Sequence, residues 1–222
     1  MREVVTIVSG LPRSGTSMMM RMLEAGGMGI VTDSVRSADE DNPRGYYEFE
    51  DVKRIKDDAS WLEGAKGKAV KMVSMLLYGL PQDRTYRVIF MRREIGEVIA
   101  SQRVMLERMG ERNIPEDDEM GRLYKRHLEE IERWLEGQQN IKVLYMNYKD
   151  VLEDPQGGAL RISRFLGDSL NVEDMVRAVD MSLYRQRSQA KNSNEKDLPH
   201  AGDMEKEDSD KIEAQLKALG YM

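Results

Sequence analysis

The chain has 222 residues, with 34 Lys and Arg against 40 Asp and Glu, a net charge of −6, two histidines and no cysteine. This composition excludes disulfides, thiolate zinc sites and cysteine nucleophiles, and two histidines are too few for a multi-histidine metal site. The acidic balance argues against general nucleic-acid binding, no apolar run is long enough to span a membrane, and the N-terminus lacks a signal-peptide pattern. We therefore expect a single cytoplasmic domain over residues 1–222, with no metal.

Strands and helices alternate along the sequence. Residues 4–9 are a short β-branched apolar run, typical of a strand that is buried on both faces. Residues 16–25 are apolar nearly all round and are followed by glycines, which is typical of a buried helix. The same patterns predict three further strands (68–72, 87–91 and 142–146) and four further helices (94–109, 115–137, 155–166 and 210–219). This alternation predicts an α/β fold with a central parallel sheet between layers of helices.

One long segment is polar. Residues 187–211 contain only Leu198 and Met204 as large apolar residues. The segment is predicted to be either a solvated surface loop or a lid that orders when ligand binds, since long connections in compact domains are often functional.

The loop between the first strand and the first helix has the spacing of a P-loop. Residues 10–17 read Gly-Leu-Pro-Arg-Ser-Gly-Thr-Ser, and such a loop binds a phosphate through backbone N–H groups and the helix dipole. Thr16 stands where P-loop NTPases have lysine, and Arg13 supplies a cation from inside the loop. The strands at 87–91 and 142–146 are not followed by the aspartate that would hold magnesium. The loop therefore indicates a phosphate-like ligand without a triphosphate tail.

This loop resembles the 5′-phosphosulfate loop of sulfotransferases that use 3′-phosphoadenosine 5′-phosphosulfate (PAPS). Its arginine form is similar to that of tyrosylprotein and many bacterial sulfotransferases. The resemblance implies a P-loop-type fold and PAPS as cosubstrate. It also implies that the loop binds PAPS through Arg13, Ser14, Gly15, Thr16 and Ser17.

A second segment, residues 86–101, resembles the family's 3′-phosphate segment. In that segment an arginine ends a strand, an acidic residue follows four positions later and a serine eight positions later, which matches Arg93, Glu97 and Ser101. The resemblance implies that Arg93 and Ser101 bind the 3′-phosphate. Arg93→Ala is then expected to weaken binding of adenosine 3′,5′-bisphosphate (PAP) and to leave adenosine 5′-phosphosulfate, which lacks that phosphate, nearly unaffected.

Other positions follow the family less closely. Residues 145–167 are similar to the stretch in which a tyrosine, here Tyr148, lies beside the adenosine. Lys71 fits the lysine that reaches the transferring group, but the histidine of cytosolic members does not follow it. The C-terminal Arg-Lys-Gly segment is not evident, and Arg185 and Arg187 are candidates to replace it.

Residues 42–50 resemble the acceptor-side segment of bacterial sulfotransferases, so we expect the catalytic base near this segment. Related enzymes use a glutamate as base, so Glu48 is the first candidate, and Glu50 and Asp39 are alternatives. Alternatively, Glu48 precedes a helix over residues 51–62 as a partner of its dipole. Aromatic candidates for the acceptor pocket are Tyr46, Tyr47, Trp61 and Tyr78.

The sequence thus predicts an enzyme that moves a sulfuryl group from PAPS to an acceptor hydroxyl or amine, with Glu48, Lys71 and Arg13 as catalytic residues. The alternatives are a P-loop kinase for a small metabolite and a nucleotide-binding module without catalysis. His127, on the apolar stripe of the helix at 115–137, is interpreted as a core or boundary histidine.

Overall fold

The computed structural model describes residues 4–33, 45–112, 114–180 and 206–222. Their strands form a five-stranded parallel sheet in the order β2-β3-β1-β4-β5. The strands are β1 (Val5–Gly10), β2 (Gly29–Val31), β3 (Lys68–Lys71), β4 (Tyr86–Arg92) and β5 (Ile141–Asn147). The predicted α/β class with a central parallel sheet is confirmed, whereas the three-residue β2 was not predicted.

The described helices are α1 (Thr16–Ala25), α2 (Ile95–Arg108), α3 (Asp117–Glu136), α4 (Tyr148–Glu153), α5 (Pro155–Leu166), α6 (Val172–Arg177) and α7 (Lys206–Ala218). The chain divides into two compact units, residues 1–93 with 138–183 and residues 94–137 with 184–222. The first unit holds the sheet with α1, α4, α5 and α6, and the second holds α2, α3 and α7. The single domain stays a prediction from the sequence.

The sheet has a topological switch point at β1. The chain continues from β1 to β2 and β3 on one side and later to β4 and β5 on the other, so the strand order reverses at β1. Parallel sheets bind ligands in the crevice at the carboxyl ends of strands where this reversal occurs. Every residue of β1 is buried, and α1 has the bounds that its sequence predicts.

The second unit contains a buried polar network between helices. Tyr124 of α3 donates a 2.7 Å hydrogen bond to Gln102 Oε1 of α2, and Gln215 of α7 donates to the same oxygen at 3.3 Å. Burial is the main cause that raises the pKa of Tyr124 above its usual value.

The described part of the chain contains no helix that is both long and apolar enough to cross a membrane.

Two predicted elements are corrected. The helix over residues 51–62 is wrong, because the segment forms two 3₁₀ helices, Glu50–Arg54 and Ser60–Glu63. A turn separates them, in which Asp58 Oδ1 accepts the Ser60 backbone N–H at 2.9 Å. In the polar segment, residues 206–211 belong to α7 rather than to a loop, and residues 187–205 lie outside the described residues.

Candidate active site

The predicted phosphate loop joins β1 to α1 through several left-handed backbone conformations. Gly10 has φ +144°, and a Cβ there would lie 2.5 Å from the Met91 carbonyl oxygen of the neighbouring strand. Arg13 has φ 73° and Gly15 has φ 100°. When right-handed and left-handed residues follow each other in a loop, their successive backbone N–H groups point toward one place. This is the geometry of anion-binding loops.

The loop also carries a buried hydroxyl. Ser14 is 1% exposed, and its Oγ has no hydrogen-bond partner among the described residues. Its backbone N–H bonds to the Leu11 carbonyl at 3.1 Å, which closes the loop on itself. A buried hydroxyl without a partner is costly in an apolar interior, so Ser14 Oγ is suited to bind a ligand atom.

The helix that follows has its N-terminus at the loop. Thr16 is the first residue of α1, and the residue before it, Gly15, has no side chain that could cap the helix. The Met19 N–H bonds to the Gly15 carbonyl at 3.1 Å. The Ser17 hydroxyl donates a 3.4 Å hydrogen bond to the Tyr46 carbonyl. The positive end of the helix dipole therefore faces the same region as the loop amides.

A buried pair of opposite charges lies beside this helix. Lys71 Nζ at the end of β3 lies 3.5 Å from Glu48 Oε1, and the two side chains are 4% and 9% exposed. The same ammonium donates a hydrogen bond to the Tyr46 carbonyl and lies 5.8 Å from the centre of the Tyr46 ring. Tyr46 thus links Lys71 to Ser17 through one carbonyl oxygen.

The segment that carries Glu48 is held by its backbone. The Glu48 carbonyl accepts hydrogen bonds from Thr32 Oγ1 at 2.8 Å and from the Asp33 N–H at 3.3 Å. Tyr47 has φ 54°, and its hydroxyl donates a 2.5 Å bond to Glu24 of α1. The pKa of Tyr47 is raised to about 12, mainly because the hydroxyl is partly buried and secondly because it bonds to Glu24.

The three candidate bases have different surroundings. The structure brings Glu48 to Lys71, but it places Glu50 in an exposed ion pair with Lys53 at 2.8 Å. Asp39 lies outside the described residues. The alternative in which Glu48 precedes a helix over residues 51–62 is excluded, because that helix does not form.

The two arginines at the end of β4 lie against different tyrosines. Arg93 Nη1 donates a 3.0 Å hydrogen bond to the Arg13 carbonyl, and its Cζ lies 4.6 Å from the centre of the Tyr148 ring. Arg92 Cζ lies 4.0 Å from the centre of the Tyr145 ring. Consecutive strand residues point to opposite faces, and Arg93 is the one that contacts the phosphate loop.

The remaining predicted residues belong to the second unit or lie outside the described residues. Ser101 and Glu97 are both buried in α2, one helical turn apart, in the second unit. Arg185 and Arg187 lie outside the described residues. Their roles toward a nucleotide stay predictions from the resemblance.

The aromatic candidates for an acceptor pocket do not share one environment. Tyr46 is buried against Lys71, Tyr47 is bonded to Glu24, and Trp61 packs edge-on against Phe49 with ring centres 5.6 Å apart. Tyr78 is 37% exposed. The acceptor pocket stays a prediction.

His127 is fully buried on α3, as its place on the apolar stripe predicts. Burial lowers the pKa of His127 to about 4, so the imidazole is neutral at pH 7.

Among the described residues, no group of three or more His, Asp or Glu is arranged to hold a metal ion.

Sequence reasoning missed the contacts that join these residues. The Tyr46 carbonyl, which accepts from both Lys71 and Ser17, is a backbone atom and leaves no signature in the side-chain pattern. The Thr32 contact with the Glu48 carbonyl depends on β2, which is too short to show a period. The contact between Arg93 and Arg13 spans 80 residues.

The comparison with protein families agrees with the predicted class. A family model described as a sulfotransferase domain matches residues 5–216. The chain therefore belongs to the sulfotransferase domain family, and the predicted enzyme class, a PAPS-dependent sulfotransferase, is confirmed. The narrower resemblance to tyrosylprotein and bacterial enzymes stays a prediction.

Solved structures resemble the chain at low sequence identity. Mouse sulfotransferase SULT7A1 complexed with PAP has a TM-score of 0.53 and 18% identity, over 87% of this chain and 70% of that chain. The sulfotransferase domain from the curacin biosynthetic pathway has a TM-score of 0.47 and 14% identity, over 99% and 98%. A sulfotransferase from Alicyclobacillus acidocaldarius has a TM-score of 0.44 and 14% identity, over 97% and 94%. The likeness to the mouse protein supports the fold. No curated protein sequence matches the chain significantly.

Proposed function

We propose that this sulfotransferase binds PAPS at the loop of residues 10–17 and uses the Lys71–Glu48 pair to transfer its sulfuryl group to an acceptor hydroxyl or amine. The observation that carries this proposal is the Tyr46 carbonyl, which accepts hydrogen bonds from Ser17 of the loop helix and from Lys71. This shared acceptor links the helix that follows the loop to a lysine that is paired with a buried carboxylate, which supports one site at the carboxyl edge of the sheet.

The loop is suited to hold the 5′-phosphosulfate. The proposed donors are the backbone amides of Gly15, Thr16 and Ser17 with the Ser14 hydroxyl, which is buried without a partner among the described residues. Arg13 supplies the positive charge that neutralises the phosphate as it becomes the leaving group. A fixed set of donors of this kind needs little reorganisation during the reaction.

The chemical step is an in-line displacement at sulfur. The acceptor oxygen or nitrogen forms a bond to sulfur while the bond between sulfur and the bridging oxygen breaks, and the electron pair stays on the phosphate of the released PAP. Glu48 takes the acceptor's proton as general base. The Lys71 ammonium neutralises charge on the transferring group and fixes the Glu48 carboxylate.

The other end of the nucleotide is proposed to contact Arg93 and Tyr148. Arg93 lies beside the phosphate loop through its bond to the Arg13 carbonyl, and its planar guanidinium matches the geometry of a phosphate group, so we propose that it holds the 3′-phosphate. Ser101 and Arg187 are proposed for the same phosphate on the family resemblance alone.

The cysteine-free sequence supports a cytoplasmic location.

Thermal denaturation with PAP or with ATP and magnesium tests this function. PAP in EDTA should raise the melting temperature, and at 100 times its dissociation constant it should add about 2.7 kcal/mol of apparent stability. ATP with magnesium should add far less, because the loop has threonine in place of the NTPase lysine. Greater, magnesium-dependent stabilisation by ATP would favour the kinase instead, and no effect of PAP would reject PAPS binding.

A further inference from the structure

The phosphate loop has two left-handed residues that are each contacted from outside the loop. Arg13 has φ 73°, although arginine has a Cβ that disfavours this conformation, and Gly15 has φ 100°. Arg93 Nη1 donates to the Arg13 carbonyl at 3.0 Å. The Tyr148 ring lies directly against Gly15, where an added Cβ would be 2.4 Å from its Cδ2.

The residues that make these two contacts also contact each other. The Arg93 guanidinium lies over the Tyr148 ring at 4.6 Å from its centre, and Tyr148 is only 6% exposed. A ring buried to this extent has little freedom to move, and a guanidinium held against its face is restricted in orientation. We call this arrangement the Arg93–Tyr148 stack.

We propose that the Arg93–Tyr148 stack is a brace that holds the phosphate loop in its anion-binding conformation, so that Arg93 is a positioning residue for the 5′ end of the nucleotide. The bond from Arg93 engages the Arg13 carbonyl, which would otherwise be able to turn toward a bound anion and repel it. The inference rests on the proposed function, which gives Arg93 the 3′-phosphate, and adds a second role for the same side chain. It reverses the expectation from sequence that Arg93→Ala spares ligands without a 3′-phosphate.

The test uses adenosine 5′-phosphosulfate, which lacks the 3′-phosphate, and PAP, which carries it. By calorimetry, Arg93→Ala should weaken binding of adenosine 5′-phosphosulfate about tenfold, because a hydrogen bond from a charged group to the loop is lost. PAP should be weakened by a larger factor, since it loses the phosphate contact as well. Arg93→Met keeps an unbranched chain against the Tyr148 ring and should behave similarly, and it replaces Arg93→Ala if that variant does not fold.

Arg92→Ala is the matched control, because Arg92 is the preceding residue, at the end of β4, and stacks on Tyr145. It should leave the affinity for adenosine 5′-phosphosulfate within about twofold of the parent. A second measurement needs no ligand: backbone amide hydrogen exchange over residues 11–17 should be faster in Arg93→Met than in the parent and in Arg92→Ala.

The outcomes separate this inference from the proposed function. Unchanged binding of adenosine 5′-phosphosulfate and unchanged loop exchange in both Arg93 variants, with PAP weakened, would overturn the brace and leave the function standing. If the parent protein bound neither ligand, the proposed function would fail, and the exchange measurement would still decide whether Arg93 braces the loop.

Discussion

Lys71 Nζ lies 3.5 Å from Glu48 Oε1 in a site where neither side chain is more than 9% exposed. Charged groups are seldom buried unless they are paired, because each loses its hydration. Here the ammonium also donates to the Tyr46 carbonyl, so one lysine fixes both a carboxylate and the backbone two residues before it. This arrangement holds Glu48 in a defined position, although the histidine that follows the lysine in cytosolic sulfotransferases does not follow Lys71 here.

Glu48→Gln should lower turnover about 10²–10⁴-fold and leave the affinity for PAP nearly unchanged. Glutamine occupies almost the same volume and still accepts a hydrogen bond from Lys71, but it does not take a proton from the acceptor. Steady-state kinetics with a responsive acceptor, together with calorimetry for PAP, measure the two quantities.

Glu50→Gln is the control for that experiment. Glu50 is exposed and paired with Lys53, so this variant should turn over like the parent. Normal turnover in Glu48→Gln would contradict Glu48 as the base and move the role to Glu50 or Asp39.

Lys71→Met should destabilise the fold by about 3 kcal/mol, because it leaves a buried carboxylate and a buried carbonyl without their cation. The double variant Lys71→Met/Glu48→Gln should be more stable than Lys71→Met alone, since the buried negative charge that Lys71 neutralised is then gone. Urea unfolding of the four proteins in this cycle gives the interaction energy. Strictly additive effects would mean that the two side chains do not interact in solution.

Gly15→Ala should reduce both stability and PAP affinity. The left-handed backbone costs an alanine about 1–2 kcal/mol, and contact of the new methyl group with the Tyr148 ring adds about 1–3 kcal/mol. Gly27→Ala is a matched control, because Gly27 has φ +96° and a Cβ there would meet nothing within 4 Å. Chemical unfolding should therefore show a larger loss for Gly15→Ala, and equal losses would disprove the close approach of Tyr148.

His127 should make the stability of the fold depend on pH. Its pKa is about 4 in the folded protein and about 6.5 when unfolded, so the unfolded state binds the proton more readily between these values. The contribution of the neutral imidazole is therefore fully present above about pH 6.5 and is lost as the pH falls toward 4. At pH 5 the loss at this site should be about 2 kcal/mol relative to pH 7.5.

His127→Gln, which does not titrate, should remove this part of the pH dependence. Urea unfolding at pH 7.5 and pH 5 measures it as the change in the difference between variant and parent. A constant difference between His127→Gln and the parent at both pH values would contradict the lowered pKa.

Several helices and strands of the fold can be predicted from short sequence patterns. The bounds of α1 and α5 agree with the predicted helices at 16–25 and 155–166, because their apolar periodicity and terminal glycines act within a few residues. The four longer strands were predicted to within about a residue of their ends, for the same reason. The segment at 51–62 failed, since its turn depends on the Asp58 side chain rather than on periodicity.

The loop of residues 10–17 could be recognised from sequence because its glycine spacing and its place between a strand and a helix are local properties. The sequence by itself therefore determined the α/β class and the family, and it predicted the anion-binding loop. The tertiary structure alone decided which side chains lie in contact. Lys71 meets Glu48 across 23 residues, and Arg93 meets Arg13 across 80. These contacts depend on the order and register of β3, β1 and β4, which are fixed by burial of the whole sheet rather than by any one segment.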